Sequence, residues 1–159
     1  MSVAALLASY CRLLAELRKR EVIRSNNAPA GDYAEWLTAR ALTGELVKNF
    51  SVKSYDLTAG SGELVQVKTR VVSDPPTRGQ LQTSPFRSWE FDLAAFVLLR
   101  NHDYFVVRAS LVPRDVAKEN SRFTAHVNGH IVHMTPNLMG HPTARDITAA
   151  LRSAALTAE

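Results

Sequence analysis

The sequence predicts an α/β fold, a mixed β-sheet with flanking helices. Three observations carry this. The segments run helix, helix, strands, loop, strands, small hairpin, helix. Two central stretches, residues 91–99 and 104–112, are almost continuously apolar, as interior strands covered on both faces require. Apolar residues at steps of three and four mark amphipathic helices outside that centre.

Val3, Leu6, Leu7, Tyr10, Leu14 and Leu17 form one apolar face of a helix over residues 2–20. Arg18, Lys19 and Arg20 close it, where cations favour the helix dipole. Residues 24–31 (R-S-N-N-A-P-A-G) read as a loop. A second helix is expected to start at Asp32 as N-cap, with Glu35 completing a capping-box-like pair. Tyr33, Ala34, Leu37, Ala41 and Leu42 make its buried face, and Gly44 is its expected stop.

Residues 46–52 fit neither period. Residues 55–58 and 63–71 read as two strands about the turn Ala59-Gly60-Ser61-Gly62. Leu64, Gln66, Lys68 and Arg70 then point one way, and Val65, Val67 and Thr69 the other. Residues 73–90 make a long connection with room for a short helix. The two apolar strands follow, joined by Arg100-Asn101-His102-Asp103. A short helix over 113–119 begins with Pro113 at its first position. Asn128-Gly129 signals a hairpin between 123–127 and 131–134. A helix over 143–156 closes the chain. A single domain, 1–159, therefore divides into an N-terminal helix and loop (1–30), a core (31–112) and a C-terminal hairpin and helix (113–159).

The 159 residues are 46% apolar and 21% charged, which fits a globular chain and excludes a disordered or collagen-like one. The longest apolar run, 93–99, falls far short of the ~20 residues of a membrane span. In residues 1–19 the charges follow the apolar run, the reverse of a signal peptide. One cysteine, Cys11, excludes an internal disulfide and a cysteine zinc site, so a reducing cytoplasm is expected. The net charge of +4 permits a polyanionic partner, and 14 of the 19 basic residues are arginine, whose planar fork suits phosphate.

Four residues point to chemistry: Glu35, Asp56, Gln66 and Lys68. Across the hairpin, Asp56 and Gln66 sit side by side with oxygens aimed at one point. Glu35 approaches that point if its helix covers the sheet. Magnesium wants oxygen ligands and keeps several waters. Asp56 offers a carboxylate oxygen, Gln66 an amide oxygen, the Val67 carbonyl a third, and Glu35 a second charge. A metal held there activates water and stabilises charge on a scissile phosphate. Lys68 alongside can position the water and offset phosphate charge, an electrostatic role, because acting as general base requires a depressed pKa.

The helix segment G-D-Y-A-E (31–35), then Y-D (55–56), then Q-V-K-T-R (66–70) resembles the PD-(D/E)XK, restriction-endonuclease-like nuclease superfamily, in its Mrr-like Q-x-K variant. The resemblance covers roughly residues 30–112, and small uncharacterised bacterial members look similar. It implies an αβββαβ core. It also implies metal positions at Asp56 and Gln66, a catalytic lysine at Lys68 and a helix acid at Glu35. Tyr55 stands where the family name has proline, and Gln66 where it has an acid, which leaves the site one charge poorer.

The expected function is Mg²⁺-dependent cleavage of phosphodiesters in DNA, with Mn²⁺ as substitute and RNA left open as the alternative nucleic acid, in restriction, defence or repair. A double-strand cut needs two active sites, so a homodimer is expected. The alternative is a catalytically weak or inactive nucleic-acid-binding module, or a subunit of a larger DNA-processing assembly. Arg70, Arg78 and Arg87 are the candidate phosphate contacts. Trp36, Phe86 and Trp89 read as buried aromatics rather than base-stacking ones, and His126, His130 and His133 as surface residues rather than metal ligands.

Overall fold

The structure, a computed structural model, describes residues 1–25, 27–48 and 54–157. Its centre is a six-stranded mixed sheet with helices on both sides. The strands are β1 (Glu45–Leu46), β2 (Leu57–Thr58), β3 (Leu64–Val72), β4 (Leu93–Arg100), β5 (Val106–Pro113) and, after a separate β6 (Ser121–Thr124) and β7 (Gly129–Val132), β8 (Arg145–Asp146). The order across the sheet is β1-β2-β3-β4-β5-β8. β3 and β4 run parallel, and every other pair in the sheet runs antiparallel.

β4 explains why the sheet is buried on both sides. Its side chains alternate between two cores, and residues 94–99 are all buried. Ala95, Val97 and Leu99 face α2 (Ala30–Ala41) and α5 (Thr148–Leu156), where they meet Ala34, Leu37 and Leu151. Ala94, Phe96 and Leu98 face the opposite core, built from Phe86, Phe91, Val132, Met134 and Met139. Burying each large side chain contributes about 1.5–3 kcal/mol, so the middle of the sheet anchors everything at its edge.

Several sequence expectations are corrected. α2 starts at Ala30, with Pro29 before it and no side-chain cap. Asp32 therefore lies in the first turn and reaches away from its own helix. Its carboxylate accepts the backbone N–H groups of Arg24 and Ser25, both at 2.7 Å, so it forms no capping box with Glu35. The closing helix is shorter than 143–156. Arg145 and Asp146 pair with β5 instead, and the Asp146 carboxylate takes the Thr148 N–H where α5 begins. Between β6 and β7, residues 125–127 form a 3₁₀ turn before Asn128 takes φ 47°, so the hairpin loop is longer than two residues. Pro113 ends β5 and caps α3 (Arg114–Glu119) rather than occupying its first turn. α4 (Pro136–Met139) is a short helix that periodicity missed, capped by Thr135.

The connection from β3 to β4 holds a four-residue 3₁₀ turn, Arg78–Leu81, where an αβββαβ order places an α-helix. Of the ambiguous segment 46–52, Leu46 lies in β1, while residues 49–52 lie outside the described ones. α1 (Val3–Lys19) forms as read, but only Leu14 of its apolar face is buried. Val3, Leu6, Leu7, Tyr10 and Leu13 are exposed. Among the described residues, no helix is long and apolar enough to cross a membrane.

Candidate active site

Two close backbone approaches bring α2 and the β2–β3 hairpin together. Gly60 N–H donates to the Leu42 carbonyl at 2.9 Å. A Cβ on Gly44 would lie 2.5 Å from the Thr58 carbonyl oxygen, so only glycine lets the chain leave α2 this close to β2. The hairpin register, Leu57 against Val65, extends to set Asp56 beside Gln66. The contacts agree. Asp56 Oδ2 accepts from Gln66 Nε2 at 2.8 Å and from Val67 N–H at 2.7 Å.

Glu35 projects from α2 and pairs with Arg24, whose Nη2 donates to Glu35 Oε2 at 2.6 Å. Arg24 also donates to the Val47 carbonyl at 2.7 Å, which fastens the loop before α2 to the edge of the sheet. Burial pushes the Glu35 carboxyl up to about 7, and the charge of Asp56 pushes in the same direction. Arg24 pulls it back only in part. Burial raises Asp56 as well, against the Val67 N–H and the charges of Lys68 and Arg24. Two carboxylates thus share a poorly solvated spot, where the charge of Asp56 opposes the ionisation of Glu35.

Lys68 lies on the same face of β3 as Gln66. Its Nζ donates to Ser84 Oγ at 3.1 Å and to the Pro85 carbonyl at 3.0 Å, and it stands 4.7 Å above the Phe86 ring. Burial lowers its pKa and Arg87 lowers it further, while Asp56 and Glu35 raise it.

All four sequence-derived residues come together, each close enough to alter another's charge or hydrogen bonding. Arg87 joins them through its effect on Lys68. Arg70, on β3, and Arg78, in the 3₁₀ turn, are exposed, and their side chains make no hydrogen bond or ion pair among the described residues. Sequence reasoning missed Arg24, Ser84 and Pro85. No spacing rule links a loop arginine to a helix acid eleven residues on, or a lysine to a carbonyl seventeen residues away.

The donor set suits a hard cation. Asp56 Oδ1, Glu35 Oε1 and Gln66 Oε1 take no hydrogen bond among the described residues. No buried side-chain polar atom there lacks a partner, so these oxygens keep contact with solvent. Two carboxylates and one amide leave room for the waters that magnesium retains. Among the described residues, no group of three or more His, Cys, Asp or Glu side chains is gathered. The histidines separate accordingly: His130 packs on Trp89 and Phe123, while His126 and His133 are exposed. Phe86 is buried as read, and Trp36 and Trp89 are half-buried.

No family model matches the chain, and no curated protein matches it.

Proposed function

We propose that this protein is a metal-dependent nuclease that hydrolyses phosphodiester bonds in DNA. The observation that carries the reading is the convergence of Glu35, Asp56, Gln66 and Lys68 at one edge of the sheet. Their order and placement support the resemblance to the PD-(D/E)XK superfamily.

Asp56, Gln66 and Glu35 would hold Mg²⁺ or Mn²⁺. When bound, such an ion supplies a water of lowered pKa and positive charge beside the phosphate. The chain's own groups do the rest. Gln66 Nε2 and Val67 N–H fix one Asp56 oxygen and so aim the other. Arg24 fixes one Glu35 oxygen in the same way. Lys68 is steered by Ser84 and Pro85. As an ammonium it offsets phosphate charge and positions the attacking water. Arg87 adds a second cation for the phosphate.

A second copy would supply the second cut of a duplex. The exposed residues Val3, Leu6, Tyr10 and Leu13 support α1 as the contact, because they follow the alternating three-and-four spacing of a helix that packs on another helix. Our reading keeps the cytoplasm as the compartment.

The test is nicking of supercoiled plasmid with Mg²⁺ or Mn²⁺, comparing the wild type with Asp56→Asn and Lys68→Ala. Cutting by the wild type alone supports the reading. Binding without cutting under either metal supports the inactive module, which the Gln66 substitution favours. Cutting of RNA but not DNA would redirect the substrate. Neither cutting nor salt-sensitive binding leaves the subunit of a larger assembly.

A further inference from the structure

A row of rings leads from the candidate site to the surface. Lys68 Nζ stands 4.7 Å above Phe86. Phe86 stacks on Trp89, with centroids 4.9 Å apart and planes 9° from parallel. Trp89 meets His130 edge-on at 5.6 Å, and His130 meets Phe123 edge-on at 5.4 Å. The row ends on an open ring, because Phe123 is 56% exposed.

The strand ladder by itself does not call for that ring. Phe123 faces His130 across the β6–β7 pair, a position where any strand-forming side chain satisfies the ladder. The position itself is rigid. Phe86 and His130 exchange both backbone hydrogen bonds, at 2.8 and 2.9 Å, and Thr83 N–H donates to the Val132 carbonyl at 2.9 Å. A Cβ on Gly129 would lie 2.7 Å from Pro85 Cβ and 2.9 Å from the Phe86 carbonyl oxygen. The hairpin is thus clamped to the very segment that holds Lys68, and Phe123 keeps a fixed place relative to the ammonium group.

An exposed ring at the open end of a row of rings that begins at Lys68, on which the charge of Arg87 also acts, suits a chain of phosphates carrying flat bases. A duplex hides the faces of its bases in its own stack. An unpaired nucleotide presents a free face, and aromatic stacking takes it whatever its identity. We infer that Phe123, backed by His130 and Trp89, is a stacking platform for an unpaired base on the strand whose phosphate lies at Lys68. The preferred substrate is then single-stranded or frayed nucleic acid rather than intact duplex. Placing the phosphate at Lys68 rests on the nuclease reading, whereas the platform itself is tested by binding alone.

The experiment measures anisotropy of a labelled oligothymidylate and of a labelled hairpin duplex, with the full chain and no divalent metal. Phe123→Ala, Phe123→Leu and Phe123→Trp are compared with the wild type. An exposed position tolerates all three in folding, which thermal unfolding verifies. Phe123→Ala and Phe123→Leu should each weaken strand binding about tenfold, with Phe123→Trp retaining it and duplex binding unchanged. Full retention by Phe123→Leu overturns the proposal, since a protein partner or simple apolar contact needs no π-face. Equal weakening for strand and duplex, or no strand binding by the wild type, overturns it too. Phe123-dependent strand binding without cleavage under any metal sinks the nuclease reading alone. Cleavage that depends on Asp56, with strand binding indifferent to Phe123, sinks the platform alone.

Discussion

Gln66 donates its side-chain amide to Asp56 Oδ2 at 2.8 Å, alongside the Val67 N–H that reaches the same oxygen at 2.7 Å. The residue that leaves the site short of an acid is also the one that quiets its neighbour when no cation is present. Gln66→Glu should therefore cut both ways. Without metal it replaces a hydrogen bond by two facing carboxylates, and stability should fall by about 1–3 kcal/mol. With Mn²⁺ the added charge should raise affinity and recover the loss. Thermal unfolding with and without Mn²⁺ checks both halves, and a variant equally stable in either condition would contradict this account of Gln66.

Glu35 sets a pH window. Its carboxyl titrates near 4.5 when unperturbed and at about 7 in the fold, chiefly because it is buried. Between those values the folded chain holds a proton that the unfolded chain has released. The group's stabilising contribution is thus full below about 4.5 and is lost as pH rises through about 7. The whole window is on the order of 3 kcal/mol. Urea unfolding at pH 5 and pH 8 without metal should show the decline, and Glu35→Gln should flatten it. Activity should run the other way, rising through neutrality as Glu35 ionises to take the cation.

Gly129 tests whether the hairpin braces the lysine. A methyl group there meets Pro85 and the Phe86 carbonyl within 3 Å, and Pro85 is the acceptor for Lys68. Gly129→Ala should destabilise by about 1–3 kcal/mol through overpacking. It should also lower cleavage beyond what the residual unfolding explains. Circular dichroism paired with plasmid nicking separates the two effects. Normal activity in a destabilised variant would free Lys68 from the hairpin's support.

The fold and the site differed in how far the sequence revealed them. The apolar runs of β4 and β5 declared strands covered on both faces, because alternate residues feed two cores. Period-two alternation in β3 put Gln66 and Lys68 on one face, and the glycine turn put Asp56 opposite. Element ends were less legible. Asp32 carries the composition of a cap, yet its oxygen serves the amides of the preceding loop. Arg24, Ser84 and Pro85 reach the site through tertiary pairing alone, and local pattern holds no trace of that.

α1 offers a test of association. A seventeen-residue helix exposing Val3, Leu6, Leu7, Tyr10 and Leu13 presents a large apolar stripe to water. If a second copy covers it, the wild type sediments as a dimer and Leu6→Glu with Leu13→Glu sediments as a monomer with an unchanged melting profile. A wild type that remains monomeric at high concentration would remove the homodimer from the proposal.

The nuclease activity proposed for this chain depends on Glu35, Asp56 and Gln66 together seating one hard divalent cation. Titration calorimetry with Mn²⁺ tests it most directly, using the wild type and Asp56→Asn, which keeps an acceptor for the Val67 N–H. The wild type should show one Mn²⁺ site and Asp56→Asn should lose it, with the fold intact in both. Absence of Mn²⁺ binding in the wild type, or equal binding in the two proteins, would contradict it.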